Sequence, residues 1–224
     1  MRAMILAAGR GERLRPLTDR IPKPLAQVGG EPLILHQLRW LAEAGFHDVI
    51  INLHHLGAQI EEMLSDVNGK GESLGLRIHF SRETELLDTG GGIVKALPLL
   101  GDGFFLLLNG DIFTTFPLSN LPSELPDGVD MHLLLTPTPG YRDRGDFEFN
   151  DGRILGRGDS HVYCGICIMR ASLFAGRVVK PFSLRDDLFE ALRENRLSAQ
   201  VWDGYWTDIG TLDQLEAVNA RLAS

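Results

Sequence analysis

Four short apolar runs separated by stretches of helical periodicity occupy the first half of this 224-residue sequence, and that alternation constrains the fold more than any other feature. The runs are "AMILAA" from Ala3, "DVIINL" from Asp48, "LRIHF" from Leu76 and "FFLLLNGD" from Phe104. In the first and last of them the apolar residues are consecutive rather than alternating, as in strands covered on both faces. Between them lie "PLILHQLRWLAEAG", with Pro32 near its start and Gly45 at its end, then "GAQIEEMLSDV" and "GGIVKALPLL". Each reads as a helix. The order β-α-β-α-β-α-β predicts a parallel sheet with helices on both sides and right-handed crossovers.

After Asp111 the pattern changes. "MHLLLT" is a strand, "DFEFNDGRIL" a hairpin turning at Asp151 and Gly152, and "VYCGICIM" another strand. A helix near "SLRDDLFEALREN", a strand "SAQVW" and a last helix from "TLDQLEAVNARL" follow. No repeat, low-complexity tract or linker interrupts the series. The expectation is one α/β domain over residues 1–224, a three-layer sandwich around a mixed, mostly parallel central sheet.

A net charge of −8 disfavours nucleic acid, whose phosphates need a basic face. The N-terminal region runs against that balance. Arg10, Arg13, Arg15, Arg20 and Lys23 face only Glu12 and Asp19 in the same stretch, which points to a small anionic ligand. The apolar run ending at Ala8 is too short for a signal peptide or a membrane-spanning helix, so a soluble cytoplasmic protein with no membrane partner is expected. The two cysteines form "CGIC", superficially a redox or metal motif. On a strand, residues three apart face opposite ways, and no further Cys exists to complete a zinc site; they read as plain strand cysteines.

Ligands of open α/β sheets bind beyond the carboxyl ends of the strands. That rule selects four stretches. In the first, "GRGERL" lacks the third glycine of a dinucleotide fingerprint, which argues against a nicotinamide-dependent oxidoreductase, and it also lacks the "GK[ST]" of a P-loop. Pro16, Pro22 and Pro24 predict that residues 14–24 are extended and irregular. Backbone N–H groups at Gly9 to Gly11 can cradle phosphates that Arg13 and Lys23 neutralise. In the second, "ETELLDTGGGIVKAL", three glycines precede a helix and let backbone approach a flat ligand or present N–H groups to it. The third, "LLLNGD", places Asp111 just after a buried strand, and the fourth, "YWTDIGT", places Asp208 on a loop between a strand and a helix; two carboxylates on converging loops can hold Mg2+ beside a phosphate.

Together these stretches resemble the sugar-1-phosphate nucleotidylyltransferases. "LAAGRGERLRPLT…PKPL" (residues 6–25) is similar to that family's N-terminal signature and "LLDTGGG" to its base-recognising loop. "NGD" and "WTDIGT" resemble its first and second metal-carboxylate motifs, in the family's order and over nearly the whole chain. The resemblance implies a Rossmann-like fold, a nucleoside triphosphate donor, a sugar 1-phosphate acceptor, Mg2+ and a monomer or small homo-oligomer.

It also implies a site. Arg13 and Lys23 would be catalytic, Arg13 on the departing pyrophosphate and Lys23 on the α-phosphate and incoming phosphate. The nucleotide would lie against Leu6, Ala8, Gly9, Gly11, Glu12, Arg13, Lys23, Thr89, Gly90 and Asn109. Asp111 and Asp208 would hold the metal, with Gly145, Asn150 and Trp206 on the sugar side. Keeping Arg13, Lys23, Asp111 and Asp208 together argues against a non-catalytic regulatory module. Asp208 lies near the end of the sequence, so the expectation is a single nucleotidyltransferase domain without the C-terminal β-helix of many relatives.

Size and motifs are most similar to the N-acetylmuramate-1-phosphate uridylyltransferases of cell-wall recycling, which take UTP; mannose-1-phosphate guanylyltransferases share much of the pattern. One departure stands out. Many relatives carry Glu-Lys-Pro before the glycine-containing strand, and its Lys holds the sugar phosphate. Here the region reads "RILGRGDSHVYCG"; Arg157 is the nearest cation, and the role stays unassigned.

Overall fold

Ala3 and Ile5 enter one hydrophobic cluster and Met4 the other, so the first strand already sorts the core into two layers. The structure, a computed structural model, describes residues 1–69 and 74–223. In chain order the elements are β1 (Arg2–Leu6), β2 (Gln27–Val28), β3 (Glu31–Pro32), α1 (Leu33–Glu43), β4 (Asp48–Leu53), α2 (Gly57–Gly69), β5 (Arg77–Arg82) and α3 (Asp88–Leu100). Then come β6 (Phe104–Asn109), β7 (Ile112–Thr114), β8 (Met131–Pro137), β9 (Phe147–Asn150) and β10 (Arg153–Arg170). The chain continues through α4 (Arg185–Arg193), β11 (Leu197–Val201), β12 (Trp206–Asp208) and α5 (Leu212–Leu222).

Eight strands form one sheet in the order β11-β8-β10-β6-β1-β4-β5, with β9 paired to β10. β6, β1, β4 and β5 run parallel, whereas β10 is antiparallel to both β6 and β8. This is a mixed, mostly parallel sheet. One face packs Ile34 and Leu38 of α1 with Ile60 and Leu64 of α2 against Ile5, Ile51 and Leu108. The other packs Ile93 of α3 and Leu188 of α4 against Met4, Phe105 and Leu133. Period-2 alternation of fully buried side chains is what a sheet inside three layers requires. No helix among the described residues is long and apolar enough to cross a membrane.

Three local readings need correction. Residues 14–24 are not simply extended: 3-10 turns form at Glu12–Leu14, Leu17–Asp19 and Lys23–Leu25, because the prolines permit tight turns while blocking a continuous helix. The glycines of "DTGGG" do not precede α3 but lie inside its first turns. The hairpin strand after Asp151-Gly152 and "VYCGICIM" are one 18-residue strand, β10, rather than two. Its register against β8 shifts between Tyr163 and Cys167, where Gly165 takes φ +73 against the Asn109 side chain. Asp151 and Gly152, both at positive φ, make the expected hairpin turn.

The cysteines face opposite ways as expected, Cys164 in one cluster and Cys167 in the other. Both are free and buried, and burial pushes both thiols far above their ordinary range. The β7–β12 ribbon has no counterpart in the sequence reading, since three-residue strands fall below any periodicity signal.

Candidate active site

A cleft of about 660 Å³ opens beyond the carboxyl ends of β1, β4 and β6. Its walls come from Leu6 to Arg13, from Lys23 and Pro24, from Asn52, from Leu86, Asp88 and Thr89, from Asn109 to Asp111, and from Gly210. Ten of the residues singled out in the sequence meet here: Leu6, Ala8, Gly9, Gly11, Glu12, Arg13, Lys23, Thr89, Asn109 and Asp111. They come from four separate segments, brought together because β6 and β4 flank β1 in parallel register.

The loop after β1 is built rather than loose. Gly11 sits at φ +63, and a Cβ there would come within 2.8 Å of the Thr18 methyl. Buried Thr18 donates its hydroxyl to the Gly11 carbonyl at 2.8 Å, and the same carbonyl accepts from Leu14 N at 2.9 Å. The His55 ring hydrogen-bonds the Thr18 carbonyl at 3.0 Å. This packing holds Gly9 to Gly11 in an open curve on the cleft, the backbone shape that binds anions. Arg13 is exposed on the same wall, its guanidinium against Gly210.

Lys23 Nζ donates to Asp111 Oδ2 at 2.5 Å. Their side chains are only 14% and 25% exposed, so the pair is partly desolvated and its charges act more strongly than on an open surface. Asp111 sits in the turn from β6 into β7. Gln37 of α1, itself buried, clamps that turn by donating Nε2 to the carbonyls of Asn109 and Ile112 at 2.9 and 3.1 Å.

Asp208 ends β12, opposite Ile112 of β7, and Ile209 N donates to the Asp111 carbonyl at 2.7 Å. The ribbon therefore brings the two aspartates onto adjacent backbones. Asp208 is 8% exposed and is not among the residues that line the cleft. Its Oδ2 accepts from Arg142 Nη2 at 2.6 Å, and its Oδ1 from Tyr141 OH at 3.2 Å and Gln214 Nε2 at 3.0 Å. Burial raises the Tyr141 hydroxyl pKa, which keeps it a donor.

Among the described residues no group of three or more His, Cys, Asp or Glu side chains forms a metal cage. Asp111 and Asp208, on adjacent backbones, are donors of the kind Mg2+ takes, since it uses one or two carboxylates and completes its shell with water and ligand phosphates; the oxygens of Asp208 also accept from Arg142, Tyr141 and Gln214.

The glycine run has a packing origin. A Cβ on Gly90 would meet the Phe182 ring at 2.2 Å, one on Gly91 the Lys180 carbonyl at 2.2 Å, and one on Gly92 Glu83 Oε1 at 2.8 Å. The N–H groups of Gly90 and Gly91 both donate to the Phe182 carbonyl, at 3.0 and 3.3 Å, so they are not presented to the cleft. Leu86, Asp88 and Thr89 form the wall instead.

The remaining candidates lie off this lining. Gly145 is wedged against the backbone of Asp159 and His161, Asn150 is exposed at the tip of the β9–β10 hairpin, and Trp206 is 7% exposed in the core, its Nε1 on the Cys164 carbonyl at 2.8 Å. Arg157 stacks over Phe189 of α4 at 4.9 Å from the ring centre.

Sequence reading missed Asn52, Gln37, Tyr141, Arg142 and Gln214. Only Gln214 left a signal: "TLDQ" is a capping box, with Thr211 Oγ1 accepting from Gln214 N at 3.3 Å.

Set beside known proteins, residues 2–126 match the family model described as nucleotidyl transferase. The N-acetylmuramate alpha-1-phosphate uridylyltransferase of Neisseria meningitidis serogroup B is 41% identical, over 98% of this chain and 97% of its own. The mannose-1-phosphate guanyltransferase of Gibberella zeae is 30% identical over 94% of this chain, but this chain spans only 61% of it. The HddC structure from Yersinia pseudotuberculosis superposes with a TM-score of 0.81, covering 98% of both chains at 21% identity, a likeness of fold.

Proposed function

The chain belongs to the nucleotidyl transferase family, and we propose that within it this protein condenses UTP with a sugar 1-phosphate, N-acetylmuramate 1-phosphate, to give a UDP-sugar and pyrophosphate. The observation that carries this reading is the meeting of the Gly9–Gly11 curve, Arg13 and the Lys23–Asp111 pair in one cleft. That cleft offers an anion cradle, two cations and a metal-type carboxylate along one wall-to-wall lining. The choice of UTP and of this sugar is supported by likeness along the full length of the Neisseria enzyme, against partial coverage of the guanyltransferase.

An oxygen of the sugar phosphate attacks the α-phosphorus of UTP in line. The new O–P bond forms as the bond from the α-phosphorus to the bridging oxygen breaks, and pyrophosphate leaves with that electron pair. A phosphate monoester loses its second proton near pH ~6, so the nucleophile is already an anion at neutral pH and needs no general base. Catalysis then falls to positioning and charge neutralisation.

The Gly9–Gly11 backbone receives the triphosphate, and Arg13 draws charge toward the departing pyrophosphate. Lys23, aimed by Asp111 and hemmed in by the loop, neutralises the α-phosphate as it gains its fifth oxygen. Thr89 and Leu86 flank the nucleoside, and Asn109 faces the ribose or sugar. Asp111 and Asp208 would hold Mg2+, which when bound supplies a second, divalent neutraliser for the phosphates. Arg142, ion-paired to Asp208, holds that carboxylate in a fixed orientation.

The test is a matrix of UTP, GTP, dTTP and ATP against N-acetylmuramate, N-acetylglucosamine, glucose and mannose 1-phosphates, read as pyrophosphate release. UTP with N-acetylmuramate 1-phosphate is expected to give the highest kcat/KM. A maximum at GTP with mannose 1-phosphate would assign the chain to guanylyl transfer, and no release in any cell of the matrix would remove the catalytic reading altogether.

A further inference from the structure

Two walls of the cleft are joined underneath by a pair of buried side chains that nothing above puts to use. Asn52, at the end of β4 and 2% exposed, accepts the Ala7 N–H on Oδ1 at 2.8 Å. Its Nδ2 donates to Glu83 Oε1 at 2.7 Å. Glu83, just beyond β5 and 7% exposed, accepts the Leu87 N–H on Oε2 at 3.1 Å. The bonds run as one line from the phosphate loop after β1 to the entry of α3, beside the nucleoside wall.

We propose that this Asn52–Glu83 relay is a positioning device that sets the phosphate loop and the nucleoside wall relative to one another, so that one nucleoside triphosphate spans both. It rests on the nucleotide lying in this cleft.

The polarity of the relay is fixed by its ends. Ala7 and Leu87 each offer a backbone N–H, which can only donate. Asn52 must therefore turn its oxygen to Ala7 and its NH2 to Glu83. Residue 83 must accept at both of its terminal atoms, one for Asn52 and one for Leu87. Among side chains of this length only an ionised carboxylate does so; a glutamine would turn one donor against another. Leu87 itself supplies no side-chain cap for α3, and the Glu83 carboxylate lies where a helix N-terminus favours negative charge. The third glycine of "TGGG" belongs to the same device. A Cβ on Gly92 would fall 2.8 Å from Glu83 Oε1 and 2.9 Å from Asn52 Nδ2, so only glycine leaves the relay closed.

Fixed polarity makes a sharp test, because the relay can be rebuilt with its charge moved by one residue. The double variant combines Asn52→Asp with Glu83→Gln. Its carboxylate, now at position 52, would accept from both the Ala7 N–H and the side-chain NH2 at position 83. The amide oxygen at position 83 would still accept from Leu87. Every donor regains an acceptor. Each single substitution instead creates a conflict: Glu83→Gln sets NH2 against NH2 or N–H, and Asn52→Asp sets two buried carboxylates face to face.

The measurements are amide hydrogen exchange at Ala7 and Leu87 in ligand-free protein and steady-state kinetics with both substrates varied. Each single variant, and Gly92→Ala, is expected to speed exchange at both amides. Each is also expected to raise the KM for UTP by about tenfold while the KM for the sugar phosphate stays within about twofold. The double variant is expected to restore protection at both amides and return the UTP KM to within about threefold of wild type. A double variant no better than the worse single one would overturn the proposal. So would single variants that loosen only the amide nearest the change, or that leave the KM for UTP where it was. Wild-type protein that turned over no nucleotide would remove the functional reading alone, since exchange in the ligand-free chain would still decide for or against the relay.

Discussion

Lys23→Met removes one charge from the floor of the cleft while keeping an unbranched apolar stem of similar length. The native ammonium is 2.5 Å from Asp111 and its side chain 14% exposed, which puts it in surroundings of intermediate polarity. There a unit charge about 4 Å from an oppositely charged oxygen is worth ~4 kcal/mol, against ~1 kcal/mol in water. If Lys23 spends that interaction on the α-phosphorus as negative charge builds, the loss appears in kcat; at ~1.4 kcal/mol per decade it amounts to roughly a thousandfold. Ground-state binding of UTP depends on the whole loop and is expected to change by less than about tenfold.

Stability gives an independent check on the same variant. Asp111 loses a partner but keeps partial access to water, so the cost is about 1 kcal/mol, or ~2–4 °C in Tm for a chain of this size. The assay is pyrophosphate release under saturating UTP and sugar phosphate, with UTP affinity measured separately by calorimetry. A kcat within tenfold of wild type, with the deficit confined to KM, would show that Lys23 binds substrate rather than stabilises the reacting phosphorus.

Asp111→Asn and Asp208→Asn are each expected to cut turnover at least ~100-fold, and the double variant to lose far less than the product, because both would serve one ion; multiplicative losses in Mg2+-dependent pyrophosphate release would separate them. At the amino end of the sheet, hydrogen bonds from Arg77 and His79 hold the Asp48 carboxyl far below its ordinary range. A depressed folded-state pKa contributes stability that is complete above the unfolded value of ~3.9 and is lost as pH falls below it. The Tm gap between wild type and Asp48→Asn is therefore expected to be open at pH 7 and to close progressively below about pH 4; a gap that persists unchanged at pH 2.5 would contradict the pairing. Cys164 and Cys167 are expected to resist a thiol reagent at pH 8 until the chain unfolds; labelling as fast as that of a free thiol would show that the β10 core opens locally.

What was legible in the sequence divides by the range of the interaction that carries it. The apolar runs of β1, β4 and β6 announce themselves because burial on both faces is a property of each segment alone, and the cleft sits beyond the carboxyl ends of these three central strands. The cleft residues from Gly9 to Lys23 were likewise visible, since glycine and positive charge crowd into one short stretch. The partners of Asp208 were not. Arg142 and Tyr141 stand 66 and 67 positions away, on a segment whose composition is that of any surface loop, and only the antiparallel pairing of β12 with β7 fixes what that carboxylate meets. Asn52 and Glu83 were hidden for a different reason. One lies near the end of a parallel strand and the other just beyond the next, and the requirement that joins them is the direction of a hydrogen bond, which no pattern of hydrophobicity records. The glycine run mixes both cases. Its presence is plain in the sequence, and a ligand-facing role is the obvious reading, yet the atoms that exclude a Cβ belong to Phe182, Lys180 and Glu83. A glycine reports only that something lies close. Whether that neighbour is a ligand or the protein itself is decided by the fold, and here the protein occupies all three positions, leaving Leu86, Asp88 and Thr89 to line the cleft.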